Sequence, residues 1–479
     1  MIRMYNREDW GRIVRGFRTS LPGVVVSVGI HAILLLIMAL IVYREALNKW
    51  GDIELGWSTV VEEEDSAPEE ETESPIVLPK VSIGSQTTTT PPEPPKPATE
   101  TADTSAAAPN PEVKLADVSR SLRFRKLNED KRPQTGVLND KESPSEAIAA
   151  ALEWLARQQL SEGNWSLQGP YPDGGSIETL TGATSLALLA FLGDGHTHRS
   201  GEHQSVVNQG LQWLIKQQRP SGDLFDSDEQ GREPHFYSHA QGTIVLCEAL
   251  ALTGDQKLLG PAQRAVQFLI DAQNPVLGGW KYRPLQPDGI GDLSVSGWVL
   301  MALHSARMAD IPVPLETFLV AEKFLTAVEE ESGNGALYKY RPDLPAEESQ
   351  RHSMTAEGLL CRQWLGWPKH HPAMRRGMAF LVEEKNLPVW ARGQRNLYAW
   401  YYTAQTLHNL DGPEWRDWYG RTSSLIVKEQ LRGSWHPFRP QGAFMERSRD
   451  GGRLYLTVMC VLVLETPFRH APIYLESSE

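Results

Sequence analysis

A repeated pattern from Ser143 onwards constrains the fold of this chain more than any other feature of its sequence. In each repeat an amphipathic helix ends in Gln, a Gly-x-Trp turn follows, and a short polar stretch leads into an apolar helix rich in small residues. The spacing between successive turns is 45 to 59 residues, which is typical of stacked supersecondary units. The six turns lie at Gly163-Asn164-Trp165, Gly222-Asp223-Leu224, Gly278-Gly279-Trp280, Gly333-Asn334-Gly335, Pro388-Val389-Trp390 and Gly433-Ser434-Trp435.

The two helices of a repeat differ in their apolar pattern, and this difference predicts two layers. The first helix, for example 146–159, has its apolar residues on one face and is therefore half-buried. The second helix, for example 183–192, is apolar nearly all round and must be buried on all sides. Six outer and six inner helices in alternation predict an all-α fold, a single α/α6 toroid over 143–470 with a central cavity, followed by a short tail at 471–479.

The turn sequence resembles a known repeat. Gln159-x-x-x-Gly163-x-Trp165 is similar to the Gln-Trp repeat of the squalene cyclase and protein prenyltransferase superfamily. The resemblance implies a terpenoid cyclase-like toroid, in which Gly allows the tight turn, Trp packs between helices and Gln bonds backbone groups at helix ends. The motif recurs as Gln218-x-x-x-Gly222 without the Trp, as Gln273 to Gly278-Gly279-Trp280 with one extra residue, and as Gln430 to Gly433-Ser434-Trp435 with one residue fewer.

The terpene cyclases of this superfamily need an acid that this chain lacks. Class II cyclases protonate an alkene with a carboxylic acid in an Asp-x-Asp-Asp-Thr-Ala stretch at the head of an inner helix. The closest counterpart here is Asp292-Leu293-Ser294-Val295-Ser296-Gly297, in which only the first acid is present. Ser294 stands at the place of the proton donor, and a hydroxyl does not protonate an unactivated alkene. Asp292 is therefore the remaining catalytic candidate, and the sequence favours a function without catalysis.

Neither a metal nor another cofactor is predicted. The resemblance to protein prenyltransferases implies zinc held by Asp, Cys and His, but Cys247, Cys361 and Cys460 lie in apolar helical runs typical of buried core thiols. The histidine pairs have no spaced third ligand that would complete a metal site. These pairs are His196 with His198, and His370 with His371.

Aromatic and basic side chains are concentrated where the turns and the inner-helix N-termini meet at one rim of the predicted cavity. Aromatic faces beside Arg and Lys, close to helix N-termini that favour anions, suit a sugar-like or phosphorylated ligand. The alternative is that these side chains tie helix ends together as part of the repeat architecture. The ligand-binding candidates are Tyr237, His239, Trp280, Lys281, Tyr282, Arg283, Tyr338, Tyr340, Arg341, Arg351, His352, Tyr398, Trp400, Tyr401, Tyr402, Arg453 and Tyr455.

Two classes of function follow for the toroid. The first is non-catalytic binding of a lipid, isoprenoid or glycan ligand, or of a partner protein. The second is an enzyme, either a diverged isoprenoid-acting cyclase or prenyltransferase relative or a carbohydrate-active toroid, which would need paired carboxylates or a Tyr or His base beside Arg. The spacing selects no pair from the available groups, which are Asp226, Asp228, Asp292, Glu357, Tyr401, His239 and Arg453.

The residues before the repeats predict a membrane anchor and a spacer. Residues 21–42 carry no charge over 22 positions, long enough to cross the roughly 30 Å hydrocarbon layer as a helix. Five Arg in the tail 1–20, against Glu8 and Asp9, predict that the tail is cytoplasmic and the toroid extracytoplasmic, on the periplasmic side of an inner membrane. A cleaved signal peptide is the alternative. Residues 43–142, acidic and then rich in Pro and Thr, predict a flexible linker.

The charge of the chain excludes one class of partner. The formal net charge is −13, and residues 50–117 alone hold 15 Asp and Glu against 3 Lys and Arg. A chain without a large basic surplus does not bind nucleic-acid phosphates by bulk electrostatics, so nucleic acid is not an expected partner.

The anchor itself carries a second resemblance. Ser27-Val28-Gly29-Ile30-His31, followed by an apolar run and the Pro-rich stretch 91–97, is similar to the N-terminus of TonB. Ser27 and His31 lie four residues apart and hence on one helical face. The resemblance implies that these two residues face an ExbB/ExbD-like motor, whereas a neutral His bonded to a local carbonyl is the alternative.

Overall fold

The computed structural model of the protein describes residues 115–118, 143–225, 235–284, 289–331 and 334–474. Ser27, His31, the predicted span 21–42 and most of the predicted linker lie outside these ranges. Within them the chain forms twelve α-helices and no β-strand. The helices are α1 (Pro144–Arg157), α2 (Leu180–Gly193), α3 (Gln204–Gln217), α4 (His235–Thr253), α5 (Gln256–Asp271), α6 (Leu293–Met308), α7 (Leu315–Ala327), α8 (Glu348–Trp364), α9 (Pro372–Leu381), α10 (Leu397–Leu410), α11 (Pro413–Lys428) and α12 (Ser448–Arg469).

The helices alternate between an outer and an inner layer. In the outer helix α1 the buried residues lie on one face, whereas in the inner helix α2 every residue after Leu180 is buried. Each inner helix contacts the next one along the chain, and α12 contacts α2, so the inner ring is closed. The predicted all-α fold, an α/α6 toroid of six outer and six inner helices, is confirmed.

The Gln of each motif ties one repeat to the next. Gln159 Nε2 donates to the carbonyl oxygen of Gly163 in its own turn (2.8 Å) and to that of Val206 in the next outer helix (2.9 Å). Gln218 and Gln273 make the same pair of bonds in their repeats. Gln430 Nε2 donates to the Ala147 carbonyl oxygen (2.7 Å), which joins the last repeat to the first.

The Gly and Trp of the motif have equally specific roles. Gly278 has a φ of +82°, and a Cβ at this position would overlap the carbonyl oxygen of Val320 in the neighbouring outer helix. Only glycine therefore fits this turn without strain. The buried Trp280 donates from Nε1 to the Leu269 carbonyl oxygen (2.7 Å) and from its backbone nitrogen to Ser296 Oγ (3.0 Å). Trp165 and Trp435 have the same contacts in the first and last repeats.

The fourth and fifth repeats depart from the motif. In the fourth, Tyr338 takes the place of the Trp, because its ring is buried and its backbone nitrogen donates to Thr355 Oγ1 (3.2 Å). In the fifth, Trp390 is only half-buried. Among the described residues no Gln side chain bonds α9 to α11 in the way that Gln159 bonds α1 to α3. A groove of about 590 Å³ opens between these two outer helices, with Met378 and Trp415 in its walls.

Residues outside the twelve helices also pack on the toroid. Ala116 donates from its backbone nitrogen to the carbonyl oxygen of Trp364 (3.1 Å) and accepts a bond from Arg307 (2.9 Å), so 115–118 lie at the C-terminal ends of α6 and α8. This part of the predicted linker is therefore docked on the domain.

One described helix is long and apolar enough to cross a membrane, namely α12. In the most apolar 18-residue stretch of this helix, 83% of the residues are buried inside the toroid, as its position in the inner ring requires. Its composition is thus that of a core helix, and the predicted anchor at 21–42 stays a prediction.

Candidate functional site

The rim formed by the turns and the inner-helix N-termini contains a group of buried tyrosine and carboxylic acid side chains, called here the tyrosine–carboxyl cluster. Its members come from α4, α6, α8 and α10 and from the turns that precede α6 and α8. Because these elements belong to successive repeats, the cluster forms only when the repeats pack together. It consists of Tyr237, Tyr282, Asp292, Ser294, Tyr340, Glu357, Tyr398 and Tyr402.

Asp292 is the N-cap of α6 and is 1% exposed. Its Oδ1 accepts hydrogen bonds from the backbone nitrogen of Val295 (2.9 Å) and from Ser294 Oγ (2.7 Å). Its Oδ2 is buried without a hydrogen-bond partner in the part of the chain that the structure describes. Burial raises the pKa of Asp292 to about 6, although the bonds from Val295 and Ser294 oppose the rise. The site therefore holds a buried carboxyl group with one oxygen that no described residue bonds.

Phenol hydroxyls connect Asp292 to the rim. The Tyr237 hydroxyl lies 2.5 Å from Ser294 Oγ, and the hydroxyls of Tyr282 and Tyr340 contact each other. Burial, followed by the nearby charge of Asp292, raises the pKa of all three tyrosines well above the usual value. These phenols are uncharged at neutral pH, and Tyr282, which is half-buried, is the member closest to solvent.

Glu357, in the middle of α8, supplies a second buried carboxyl group. Its oxygens accept a hydrogen bond from the Tyr398 hydroxyl at 3.1 and 3.3 Å. Burial raises the pKa of Glu357 well above its usual value, the hydrogen bond from Tyr398 opposes the rise, and the charge of Asp292 adds to it. Burial therefore favours the uncharged form of this group. It lies against Gly297 of α6, where any side chain would overlap it.

Three predicted arginines are engaged by carboxylates outside the cluster. The guanidinium of Arg341 makes two bonds to Asp343, from Nε to Oδ1 at 3.0 Å and from Nη2 to Oδ2 at 2.8 Å. Arg341 and Lys281 nevertheless lie close enough to Asp292 to lower its pKa. The other two pairs are Arg351 with Glu330 and Arg453 with Asp173.

Several other predicted site residues have architectural contacts. His239 accepts at Nδ1 from the Leu224 backbone nitrogen (3.1 Å) and contacts the Ala265 carbonyl oxygen through Nε2 (3.1 Å). Leu224 stands at the Trp position of this turn, and in other repeats a Ser or Thr hydroxyl accepts the bond from the backbone nitrogen of that position. Trp280 and Tyr338 serve the turns, as described above. Of the remaining candidates, Tyr401 donates to Met301 Sδ (3.4 Å) and Trp400 contacts the ring of Trp390. His352 Nε2 lies 3.4 Å from Thr403 Oγ1. The last three candidates are half-buried, namely Lys281, Arg283 and Tyr455.

Of the groups considered for metal binding, the thiols are buried, three of the four histidines contact neighbouring side chains, and His370 is exposed. Cys247, Cys361 and Cys460 are free and buried, as predicted, and burial raises the pKa of each thiol. Within the described ranges no three His, Cys, Asp or Glu side chains are placed to hold a metal. Asp226 and Asp228 lie outside those ranges. The histidines contact neighbours instead: His196 with Asp194, His198 with Asp255, and His371 with Trp367.

Two features of the cluster were not foreseen from the sequence. Ser294, considered only as a failed proton donor, bonds both Asp292 and Tyr237 and thereby connects the two. Glu357 was one of several available acids, and nothing in its sequence neighbourhood indicated that Tyr398 would pair with it from another repeat. The Tyr-rich start of α10 was the one sequence signal that pointed to this contact.

The chain is similar to known proteins in fold alone. No protein family matches the sequence, and no curated protein does either. Among solved structures it is similar to an inactive variant of the α-1,6-mannanase GH76A of Salegentibacter sp. HEL1_6 in complex with α-1,6-mannotriose, with a TM-score of 0.50 and 12% identity over 68% of this chain and 99% of that chain. It is also similar to the type II terpene cyclase MstE from Scytonema, with a TM-score of 0.45 and 15% identity over 67% of this chain and 97% of that chain. The likeness to the mannanase supports the α/α toroid fold.

Proposed function

We propose that the toroid binds a hydroxyl-bearing ligand, from the lipid, isoprenoid or glycan classes, at the tyrosine–carboxyl cluster and releases it unchanged. The observation that carries this proposal is the buried Asp292 Oδ2, which has no partner among the described residues. A buried polar atom without a partner costs about 1 to 3 kcal/mol, and a ligand hydroxyl donating to this oxygen would recover that cost. The mannanase, which has the same fold, was solved with a glycan bound.

The make-up of the cluster suits binding of a hydroxyl-bearing ligand. Burial raises the pKa of both Asp292 and Glu357, and protonation of an alkene needs a stronger acid than a carboxyl group with a raised pKa. Carboxyl groups among uncharged phenols offer both hydrogen-bond donors and acceptors, which suit the hydroxyl groups of a polyol.

One observation favours an enzyme as the second candidate. The pKa of Asp292, raised to about 6 by burial, lies close to neutral pH, where a group is most effective as a general acid or base. In this alternative Asp292 would transfer a proton to or from a substrate atom beside Oδ2, and Glu357 would be the second carboxyl group of a carbohydrate-active or isoprenoid-acting site.

Native mass spectrometry of the full-length protein, gently extracted from its own membrane, tests both candidates. We expect a stoichiometric small molecule that is lost from Asp292→Asn and from Tyr340→Phe. Tyr419→Phe is the matched control, because its hydroxyl donates to the Leu464 carbonyl oxygen and does not belong to the cluster. Recovery of the ligand with an altered mass after incubation would establish the enzyme. A wild-type protein without any bound molecule, before and after incubation with membrane extract, would refute the binding proposal.

The setting of this site is a further part of the proposal: a single-pass inner-membrane anchor at 21–42 with the toroid on the periplasmic side. The uncharged span and the five Arg that precede it support this topology. Protease added outside intact spheroplasts should cleave within 43–142 and release the toroid. Protection of the toroid until the membrane is permeabilised would refute the orientation.

Coupling of the anchor to an ExbB/ExbD-like motor is proposed on the TonB-like placement of Ser27 and His31. Crosslinking of the wild-type anchor should capture partner helices in the membrane, and His31→Ala should lose them. The same partners captured by both proteins would show that His31 does not face a motor.

A further inference from the structure

We propose that the ligand of the tyrosine–carboxyl cluster carries a phosphate group, and that a basic rim made of Lys281, Arg283, Lys339 and Arg341 holds this phosphate while the uncharged part of the ligand reaches the cluster. This inference rests on the proposed function, since it assumes that the cluster binds a ligand. It divides that ligand into an anionic end and a hydroxyl-bearing body.

The four basic residues come from two copies of one sequence, Lys-Tyr-Arg-Pro, at 281–284 and 339–342. In each copy the tyrosine, Tyr282 or Tyr340, belongs to the cluster, and the basic residues on either side of it are half-buried. The two tyrosine hydroxyls contact each other in the cluster, and the basic residues flank each tyrosine along the chain.

Backbone bonds place the two copies side by side. The carbonyl oxygen of Tyr282 accepts from the Phe236 nitrogen at the start of α4 (3.1 Å), and that of Tyr340 accepts from the Leu293 nitrogen at the start of α6 (2.9 Å). The contact between the two tyrosine hydroxyls then joins the copies. The basic groups of both copies are thus held beside the N-termini of two inner helices, whose dipoles also favour an anion.

The charges of the rim are poorly balanced. Asp343 pairs with Arg341, but no described carboxylate lies within ion-pair distance of Lys281, Arg283 or Lys339. Lys339 Nζ donates to the Pro342 carbonyl oxygen (2.8 Å) and forms no ion pair with the described carboxylates. A phosphate at this rim would therefore meet a surplus of positive charge, and Lys and Arg are the side chains that bind phosphate best.

The rim and the cluster are adjacent. Lys281 and Arg341 both lie close enough to Asp292 for their charges to lower its pKa. A single ligand can therefore contact the basic rim with its phosphate and the cluster with its hydroxyls. The phosphate could belong to a soluble sugar phosphate or to the headgroup of a phospholipid, since the recognising chemistry is the same for both.

Isothermal titration calorimetry on the full-length protein in mild detergent tests this inference with four probes. Mannose is compared with mannose 6-phosphate, and dihexanoylglycerol, which has no phosphate, with dihexanoyl phosphatidylglycerol, which has one and a net negative charge. We expect the anionic member of one pair to bind at least about tenfold tighter, and this preference to fall at high salt. The pair that shows it distinguishes a soluble ligand from a lipid.

Two variants with three substitutions each make the test specific. Lys281→Gln with Arg283→Gln and Lys339→Gln should abolish the preference for phosphate and retain the binding of the neutral probe. The matched control replaces three basic residues on outer helices and should keep the preference. Equal binding of both members of each pair would overturn the phosphate inference and leave the proposed function intact, whereas no binding of any probe would count against both. The control substitutions are Lys216→Gln, Lys257→Gln and Lys428→Gln.

Discussion

Replacing Asp292 by Asn removes the charge of the buried carboxyl group while keeping its helix cap. Asn is as good an N-cap as Asp, so the bond from the Val295 nitrogen is retained. In the native protein burial raises the pKa of Asp292 to about 6 from the ordinary value of 3.8. Ionisation is therefore less favourable in the folded state than in the unfolded one. The wild-type protein consequently loses stability as the pH rises from about 4 through about 6.

The size of this effect follows from the two pKa values. A difference of one pKa unit is about 1.4 kcal/mol, so the ionised Asp292 costs the folded state about 3 kcal/mol at high pH. Between about pH 4 and about pH 7.5 the wild type should lose about 2.4 kcal/mol relative to Asp292→Asn. The fixed cost of burying the Asn amide is the same at both pH values and cancels in this difference.

Urea unfolding followed by tryptophan fluorescence measures the effect at both pH values. The matched control is Asp343→Asn, because Asp343 pairs with Arg341 at the surface and its pKa is lowered by that pair. The stability difference between wild type and this control should therefore change with the opposite sign over the acid range. A difference between wild type and Asp292→Asn that is the same at both pH values would refute the assignment of Asp292 as a carboxyl group that is destabilised when ionised.

Further substitutions test the architecture by urea unfolding. Gly278→Ala should lower the free energy of unfolding by about 2 kcal/mol or more, because of its positive φ and the carbonyl oxygen beside it. Gly260→Ala in α5 should raise it by up to about 1 kcal/mol, because a Cβ there would meet only the flexible end of Arg264 at 3.5 Å. Arg395→Met should lower the free energy of unfolding by about 3 to 5 kcal/mol, because it leaves the fully buried Glu446 without its ion-pair partner. Adding Glu446→Leu should recover most of that loss, and a double variant in which the two losses add would contradict this account. Gln430→Met should lose about 1 kcal/mol with the bond that closes the ring, and an unchanged midpoint would show that this bond contributes nothing.

The fold could be predicted from the sequence because its determinants recur. Where the motif is complete, its Gln, Gly and Trp contact their own repeat and the next one, so the motif is visible at a recurrent spacing. Tyr338 was not recognised as the counterpart of the Trp, because the fourth turn is longer and a phenol replaces the indole. The substitution preserves what the position requires, a large buried ring whose backbone nitrogen reaches Thr355.

The site could be predicted only in part, because its contacts join distant segments. Arg351 and Arg453 were expected to face a ligand, but Arg351 pairs with Glu330, and Arg453 pairs with Asp173, which lies 280 positions away in the sequence. No local spacing indicates such a pair. The tyrosines could be predicted as a set, because so many tyrosines in the turns and at the starts of the inner helices are unusual. Their hydrogen bonds to buried acids depend on how the repeats meet in the closed ring.

The bond from Gln430 to Ala147 has a consequence for how proteins of this shape can vary. An open solenoid needs capping repeats and can lengthen by adding units at either end. In this ring the first and last repeats are neighbours, so neither end is exposed. A seventh unit would have to widen the whole circumference and would separate the residues of the tyrosine–carboxyl cluster. We therefore expect relatives of this protein to keep six repeats and to differ by insertions in the turns. The longest insertions should lie next to the α9–α11 groove, because no Gln side chain bonds the described residues of these two outer helices together.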